Sequence, residues 1–155
     1  MSAIGRDAIN IRRMTRSDID AILVLVSKTT KGKTRVTYKE LAAYDPGGPL
    51  DLSFVAEDKG QIIGFTVARL EYVYIPFVEV CLIHTIGVDP EYQRRHIGAR
   101  LVSELSTHCH LQDINTIRAL VRQDDNELQN FIEHLGFHPS NMINWDKTFE
   151  PWPEE

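Results

Sequence analysis

The sequence predicts one mixed α/β domain with a central sheet, and three observations carry that reading. The chain has 155 residues, enough for one domain and too few for two full cores. A strand–turn–strand pattern runs into a long, almost wholly apolar strand, together spanning residues 52–88. Apolar residues recur at helical spacing in three other segments. A chain of this size buries roughly 70% of the surface its unfolded form exposes, so it folds without staples.

The elements follow in order. Residues 8–14 read as a strand, with Ile9 and Ile11 alternating with polar neighbours. Ser17 is placed to cap a helix whose first turn holds Asp18 and Asp20. Ile19, Ile22, Leu23 and Val26 then form one apolar face. Residues 28–50 are basic in their first half, with Lys28, Lys31, Lys33, Arg35 and Lys39. Residues 37–44 suggest a short helix, broken by Asp45-Pro46-Gly47-Gly48-Pro49. Weakly patterned segments of this kind are often functional loops.

Residues 52–57 alternate as a strand, Asp58-Lys59-Gly60 makes a hairpin turn, and residues 61–70 return. Residues 77–88 form the apolar strand, and Asp89-Pro90-Glu91-Tyr92 ends it. Ile97, Leu101, Leu105 and Cys109 mark a helix over 98–110, followed by a strand over 116–121. Asp124 or Asp125 caps the next helix, whose Leu128, Phe131, Ile132 and Leu135 recur at helical spacing, and Gly136 stops it. Residues 142–149 are expected as a last strand, and 151–155 as a loose tail.

Composition removes several classes. Hydrophobic residues make 43% of the chain and charged residues 25%, which excludes disorder, collagen and coiled coils. No apolar run approaches the ~18 residues of a membrane span, and the N-terminus has no signal-peptide pattern. Cys81 and Cys109 form no metal or redox spacing and fit a reducing, cytoplasmic compartment. With 17 Lys+Arg against 22 Asp+Glu the net charge is −5, which argues against general nucleic-acid binding. A local basic cluster in such an acidic chain stands out.

That cluster lies in CLIHTIGVDPEYQRRHIGARLVSEL, residues 81–105. An apolar strand runs into a short loop holding Gln93, Arg94, Arg95, His96, Ile97 and Gly98, then into a helix. A helix start offers about four unpaired N–H groups and a partial positive charge. Arg94, Arg95 and Arg100 add cationic donors, and Gly98 would admit a close backbone approach. Two readings stand: a pyrophosphate site, or a solvated Arg-rich turn.

The strand–VDPEYQRRHIGARL–helix pattern resembles the acetyl-CoA-binding motif of the GNAT N-acetyltransferase superfamily, Gln/Arg-x-x-Gly-x-Gly/Ala. Gln93 matches the first position and Gly98 the last, while His96 replaces the middle glycine. IRRMTRSDIDAI resembles the family's opening strand and helix, and VRQDDNELQNFIEHLGF its later strand and helix. The resemblance covers residues 1–155 as a single N-acetyltransferase domain. It implies an α+β fold with a mixed, mostly antiparallel sheet, two splayed parallel strands and about four helices.

It implies a reaction as well. Acetyl-CoA would lie between the splayed strands, its pyrophosphate on the N–H groups of residues 93–99, Ala99 included. Its pantetheine arm would pair with Ile86, Gly87 and Val88. An amine, on a small molecule or a protein, would attack the thioester directly in a ternary complex. No metal, nucleic acid or membrane enters, and a homodimer is compatible with the family. If His96 is left-handed, its side chain costs about 1–2 kcal/mol. Its ring could instead donate to a phosphate.

An ammonium acceptor must lose a proton, and a base with pKa near 7 suits that task. His84, four residues before Val88, is one candidate, against a plain core histidine. Glu79 is the other; its alternation parity differs from that of His84 unless a bulge intervenes. The family often uses a tyrosine to protonate the departing thiolate, and Ile132 occupies that position. That mismatch motivates a rival reading, a CoA-binding sensor with little transferase activity. His134 is read as surface, and His108-Cys109-His110 as a polar helix end rather than a metal tripeptide.

Overall fold

The computed structural model describes residues 8–32, 35–73 and 78–154. Lys33 of the basic segment and Phe77, the expected start of the apolar strand, lie outside the described residues. Five strands form one sheet in sequential order: β1 (Ile9–Arg13), β2 (Phe54–Asp58), β3 (Gln61–Val73), β4 (Val78–Val88) and β5 (Ile117–Ala119). β1 to β4 pair antiparallel, and β5 joins β4 in parallel. Four α-helices cover the sheet: α1 (Ile19–Thr29), α2 (Tyr38–Ala43), α3 (Ile97–Leu111) and α4 (Asn126–His134).

The expected apolar faces become two cores. On one face Ile19, Ile22, Leu25 and Val26 of α1 and Leu41 of α2 pack on Val55, Phe65 and Val67. On the other, Ile97, Leu101, Leu105 and Cys109 of α3 pack on Phe54, Ala56, Cys81 and Ile83. Gly64 brings β3 close to α3, because a Cβ there would stand 3.2 Å from Ile97 and 3.3 Å from Leu101. Among the described residues, no helix is long and apolar enough to cross a membrane.

Three expectations change. Ser17 is not the cap of the first helix. A 3-10 turn, Arg16–Asp18, precedes α1, and the buried Asp18 carboxylate accepts the Thr15 N–H at 2.8 Å. Arg12 holds the same carboxylate through two contacts of 2.8 Å. Next, β3 continues past residue 70 to Val73. Finally, no strand forms over 142–149. Alternation gives a segment two faces but not a neighbouring edge, and every residue from 138 to 154 is exposed.

Candidate active site

The site begins where β4 loses a neighbour. β5 pairs with β4 at three positions, Cys81↔Ile117, Leu82↔Arg118 and Ile83↔Ala119. β4 runs on to Val88 still paired with β3, which leaves its other edge open from residue 84 onward among the described residues. Ile86, Gly87 and Val88 lie on this stretch, opposite Thr66, Phe65 and Gly64. Gly87 sits in close packing. A Cβ there would stand 3.0 Å from the Phe65 ring and 3.2 Å from the Thr29 hydroxyl.

β4 carries a bulge within this stretch. Val67 and Ala68 are adjacent on β3, yet they pair with Thr85 and Ile83, so His84 is the extra residue. The bulge resets the alternation, so Cys81 and Ile83 before it and Ile86 and Val88 after it all join the α3 core. His84 turns to the α1–α2 face. Its ring stacks on Tyr44, at the end of α2, with centroids 4.5 Å apart and planes 24° apart. Its Nε2 is 3.9 Å from Glu71 Oε1, and Arg69 Nε is 3.5 Å from the same oxygen. The His84 side chain is 24% exposed although the whole residue counts as exposed, because its main chain lines the open edge. Burial holds the imidazole below its ordinary value of 6.5, against the upward pull of Glu71, and Arg69 adds to the lowering. The ring is therefore an uncharged base at neutral pH.

The loop after β4 is tied down at both ends. Buried Asp89 accepts the Glu91 N–H at 3.0 Å and the Lys28 ammonium at 3.1 Å. Tyr92 donates its hydroxyl to Asp58 at 2.7 Å, and the Arg95 guanidinium sits 5.1 Å from the Tyr92 ring centre. After Tyr92 the backbone turns left-handed twice, at Arg94 (φ 69°) and His96 (φ 59°). His96 is thus strained in the way its place in the motif implied. Among the described residues, no hydrogen bond engages the N–H groups of residues 94–99. The first turn of α3 holds no acid to neutralise them. Gln93, Arg94, Arg95, His96 and Ala99 are exposed around this row, while Ile97 and Gly98 are buried. An open row of donors at a helix start fits a pyrophosphate.

Two residues of this loop also make contacts elsewhere. The Arg100 guanidinium donates to the Ile9 carbonyl at 3.0 Å. A Cβ on Gly98 would face α4, 3.3 Å from Leu135 and from Phe131, so the glycine also lets α3 and α4 pack closely.

His84 and Glu79 are not brought together. Glu79 is exposed at the opposite end of β4, roughly 17 Å along the strand at ~3.3 Å per residue. It shares the face of Cys81 and accepts the Tyr72 hydroxyl at 3.3 Å. Ile132 is half-buried on α4, and exposed His134 bonds its own helix at the Asn130 carbonyl, 2.7 Å away. His108 lies 3.1 Å from Arg13 and 2.8 Å from Gln112. No group of three potential metal ligands occurs among the described residues. Cys81 and Cys109 are buried free thiols; hydrogen bonding with Cys109, then burial, push the Cys81 thiol far up.

Sequence reasoning missed Tyr44, Arg69 and Glu71. Arg69 and Glu71 alternate with the core residues Ala68 and Leu70. Reading that alternation one turn further would have extended β3 and placed Glu71 beside the long strand.

A family model described as the acetyltransferase (GNAT) family matches residues 20–137. An uncharacterised N-acetyltransferase of Methanocaldococcus jannaschii is 26% identical over 144 residues, which is 86% of this chain and 62% of that protein. The chain therefore spans less than two thirds of that relative's length. The aminoglycoside 6'-N-acetyltransferase AAC(6')-Ih of Acinetobacter baumannii superposes with a TM-score of 0.76 at 21% identity, covering 92% of this chain and 99% of its own. AAC(6')-Iy in complex with a bisubstrate analogue, CoA-S-monomethyl-acetylneamine, gives 0.74 at 17% identity, over 91% and 98%. Fold and family model agree with the open donor row and the parted strands: the chain belongs to the acetyltransferase (GNAT) family.

Proposed function

We propose that the chain transfers an acetyl group from acetyl-CoA to a primary amine, by direct attack within a ternary complex. One observation carries this reading. The unpaired N–H groups of residues 94–99, the open edge of β4 and the His84 imidazole line a single continuous stretch of chain. The donor row, with Arg94 and Arg95, holds the pyrophosphate. The edge at Ile86, Gly87 and Val88 hydrogen-bonds the pantetheine arm and aligns it. Acetyl-CoA supplies an activated acyl thioester.

His84 accepts the amine proton, directly or through one water. Tyr44 fixes the ring by stacking, and Glu71 favours the imidazolium as it forms. Glu79 lies too far along the strand to share this task. No tyrosine stands at Ile132 to protonate the leaving group. A thiol has an ordinary pKa near 8.5, so it departs as thiolate at modest cost. Similar structures include aminoglycoside acetyltransferases and a ribosomal-protein-S18-alanine acetyltransferase, so small-molecule and protein amines both fit this reading.

Thermal shift is the first test. Acetyl-CoA raises the melting temperature of a protein that binds it in the native state, while ATP with magnesium leaves it unchanged. Thiol release is then followed across aminoglycosides, polyamines, amino acids and peptide N-termini. Tight acetyl-CoA binding with no release on any amine class would replace the transferase by a CoA sensor.

A further inference from the structure

Beside His84 stands a guanidinium that is held on one side only. Arg69 and Glu71 alternate with Ala68 and Leu70, which join the α3 core, so both lie on the opposite face with His84. Arg69 Nε is buried and makes no hydrogen bond; its one ionic neighbour is Glu71 Oε1 at 3.5 Å. Asp51 pairs with Arg69 across an isolated bridge, yet its carboxylate is taken by Arg13 and by the N–H groups of Gly47 and Ser53. Among the described residues, no acceptor meets the two terminal nitrogens of Arg69. The side chain is 27% exposed, so ligand can approach them. A half-covered guanidinium with an unused fork matches a carboxylate held by two parallel N–H bonds.

The complementary charge is adjacent. The Glu71 oxygen that neighbours Arg69 is also 3.9 Å from His84 Nε2, so a guanidinium, an acid and the proposed base meet around one atom. Glu40, one turn before Tyr44 on α2, is the further acid on this side. Lys28 is held by Asp89 and does not compete. We propose that the amine acceptor is an α-amino acid bound as its zwitterion, its carboxylate on the Arg69 fork and its ammonium between Glu71 and His84. This names the acceptor class of the site and rests on the acetyl-transfer reading.

The match is one of charge spacing. An α-amino acid carries both charges on a single carbon, and the protein holds their partners in contact with one another. Polyamines and aminoglycosides carry cations only and would set one against Arg69. A peptide N-terminus offers a neutral amide where the carboxylate would sit and leaves the fork unsatisfied. In the reaction the ammonium gives one proton to His84. The amine nitrogen then bonds the thioester carbon as the C–S bond breaks. Sulfur leaves with the electron pair, and the second amine proton passes to it through solvent.

The test compares each common amino acid with its own carboxamide, by initial rates of thiol release at saturating acetyl-CoA. The carboxylate of an amino acid favours the ammonium form, so intrinsic reactivity near about pH 8 favours the carboxamide. A preference for the acid therefore reports binding. For the best amino acid, kcat/KM should exceed that of its carboxamide by about 10- to 100-fold, carried mainly by KM. Arg69→Gln should bring the ratio near unity, and Arg69→Lys should keep part of it. The acetyl-CoA thermal shift reports that both variants fold. An α-hydroxy acid with the same side chain should inhibit competitively with the amino acid, and its carboxamide should not. The parent ratio and this inhibition need no variant, so a variant that fails to fold leaves both decisive. A carboxamide used as well as its acid overturns the proposal, as does a polyamine or aminoglycoside preferred to every amino acid; acetyl transfer itself would then stand. An Arg69→Gln ratio equal to the parent's overturns it equally. Bound acetyl-CoA with no release on any amine removes the transferase reading and this proposal together.

Discussion

The two ends of β4 are made of similar residues and differ in what surrounds them. At the Val88 end the strand has lost β5, is bulged at His84, and leads into a loop tied by Asp89 to Lys28. At the other end, Val78 and Glu79 are exposed, and Glu79 accepts the Tyr72 hydroxyl. The chemistry gathers at the first end for a general reason. Parallel strands that part at their carboxyl ends leave unpaired backbone groups and a crevice beside a helix start. Variants at the two ends should therefore behave very differently.

The largest effect is expected at His84. His84→Gln should lower kcat/KM for acetyl transfer by about 10²–10⁴-fold, the usual contribution of a general base. Melting temperature and acetyl-CoA affinity should stay near the parent values. Burial lowers the His84 pKa, so the acid limb of the parent kcat/KM profile should fall below pH 6.5. The limb should vanish in the variant. The same shift has a sign for stability. The unfolded chain binds the His84 proton more readily than the folded one, so stability falls as pH drops through about 6.5. A loss of activity under threefold with an intact acid limb would move the base elsewhere.

Next comes the anchor of the loop. Asp89→Asn keeps the shape but removes the charge that faces Lys28 at 3.1 Å in a buried setting. The amide can still accept one bond, from Glu91 N–H. A stability loss of about 1–2 kcal/mol is expected, read from urea unfolding. Acetyl-CoA affinity should fall with it, since the donor row then starts from a looser turn. Unchanged affinity would show that α3 alone fixes the row.

Smaller still is His96→Gly. The substitution relieves a left-handed residue at φ 59° but adds glycine's freedom to the unfolded chain. These terms oppose, so stability should change by less than about 1 kcal/mol. If the exposed ring reaches a phosphate, acetyl-CoA affinity falls about two- to fivefold, the size of an exposed ionic contact. Calorimetric titration of both proteins reads this directly, and equal affinities would leave His96 as backbone alone.

What the sequence made legible divides along physical lines. Helix faces were readable because periodicity records burial: Ile97, Leu101, Leu105 and Cys109 are all buried on α3. The loop 93–99 was readable because strand, charges and helix start are contiguous. Long-range placement was not. Arg100 sits one turn into a helix whose start is cationic, and only the fold reveals Ile9 as its partner. Gly98 also has a packing reason to be glycine, one that depends on α4. The bulge at His84 is invisible locally, since it is a mismatch between two strands rather than a property of one. The strand pattern of 142–149 was legible too, but the segment pairs with no strand among the described residues.

Glu79→Gln is the smallest expected effect and the sharpest probe of the contrast between the ends. Its carboxylate is exposed and accepts a 3.3 Å bond from Tyr72, a contact that water screens. An amide accepts that bond equally well, so folding should be unaffected. It lies five residues from His84, about 17 Å along the strand at ~3.3 Å per residue, so an amine whose proton goes to His84 does not reach it. The Tyr72 hydroxyl, held up by the Glu79 charge, should return toward its ordinary value in the variant. Acetyl transfer should change by less than about twofold across pH 6–8, which is under ~0.5 kcal/mol. A drop of a hundredfold would require the acceptor to be bound at the Glu79 end, and would move the reaction off the open edge of β4 altogether.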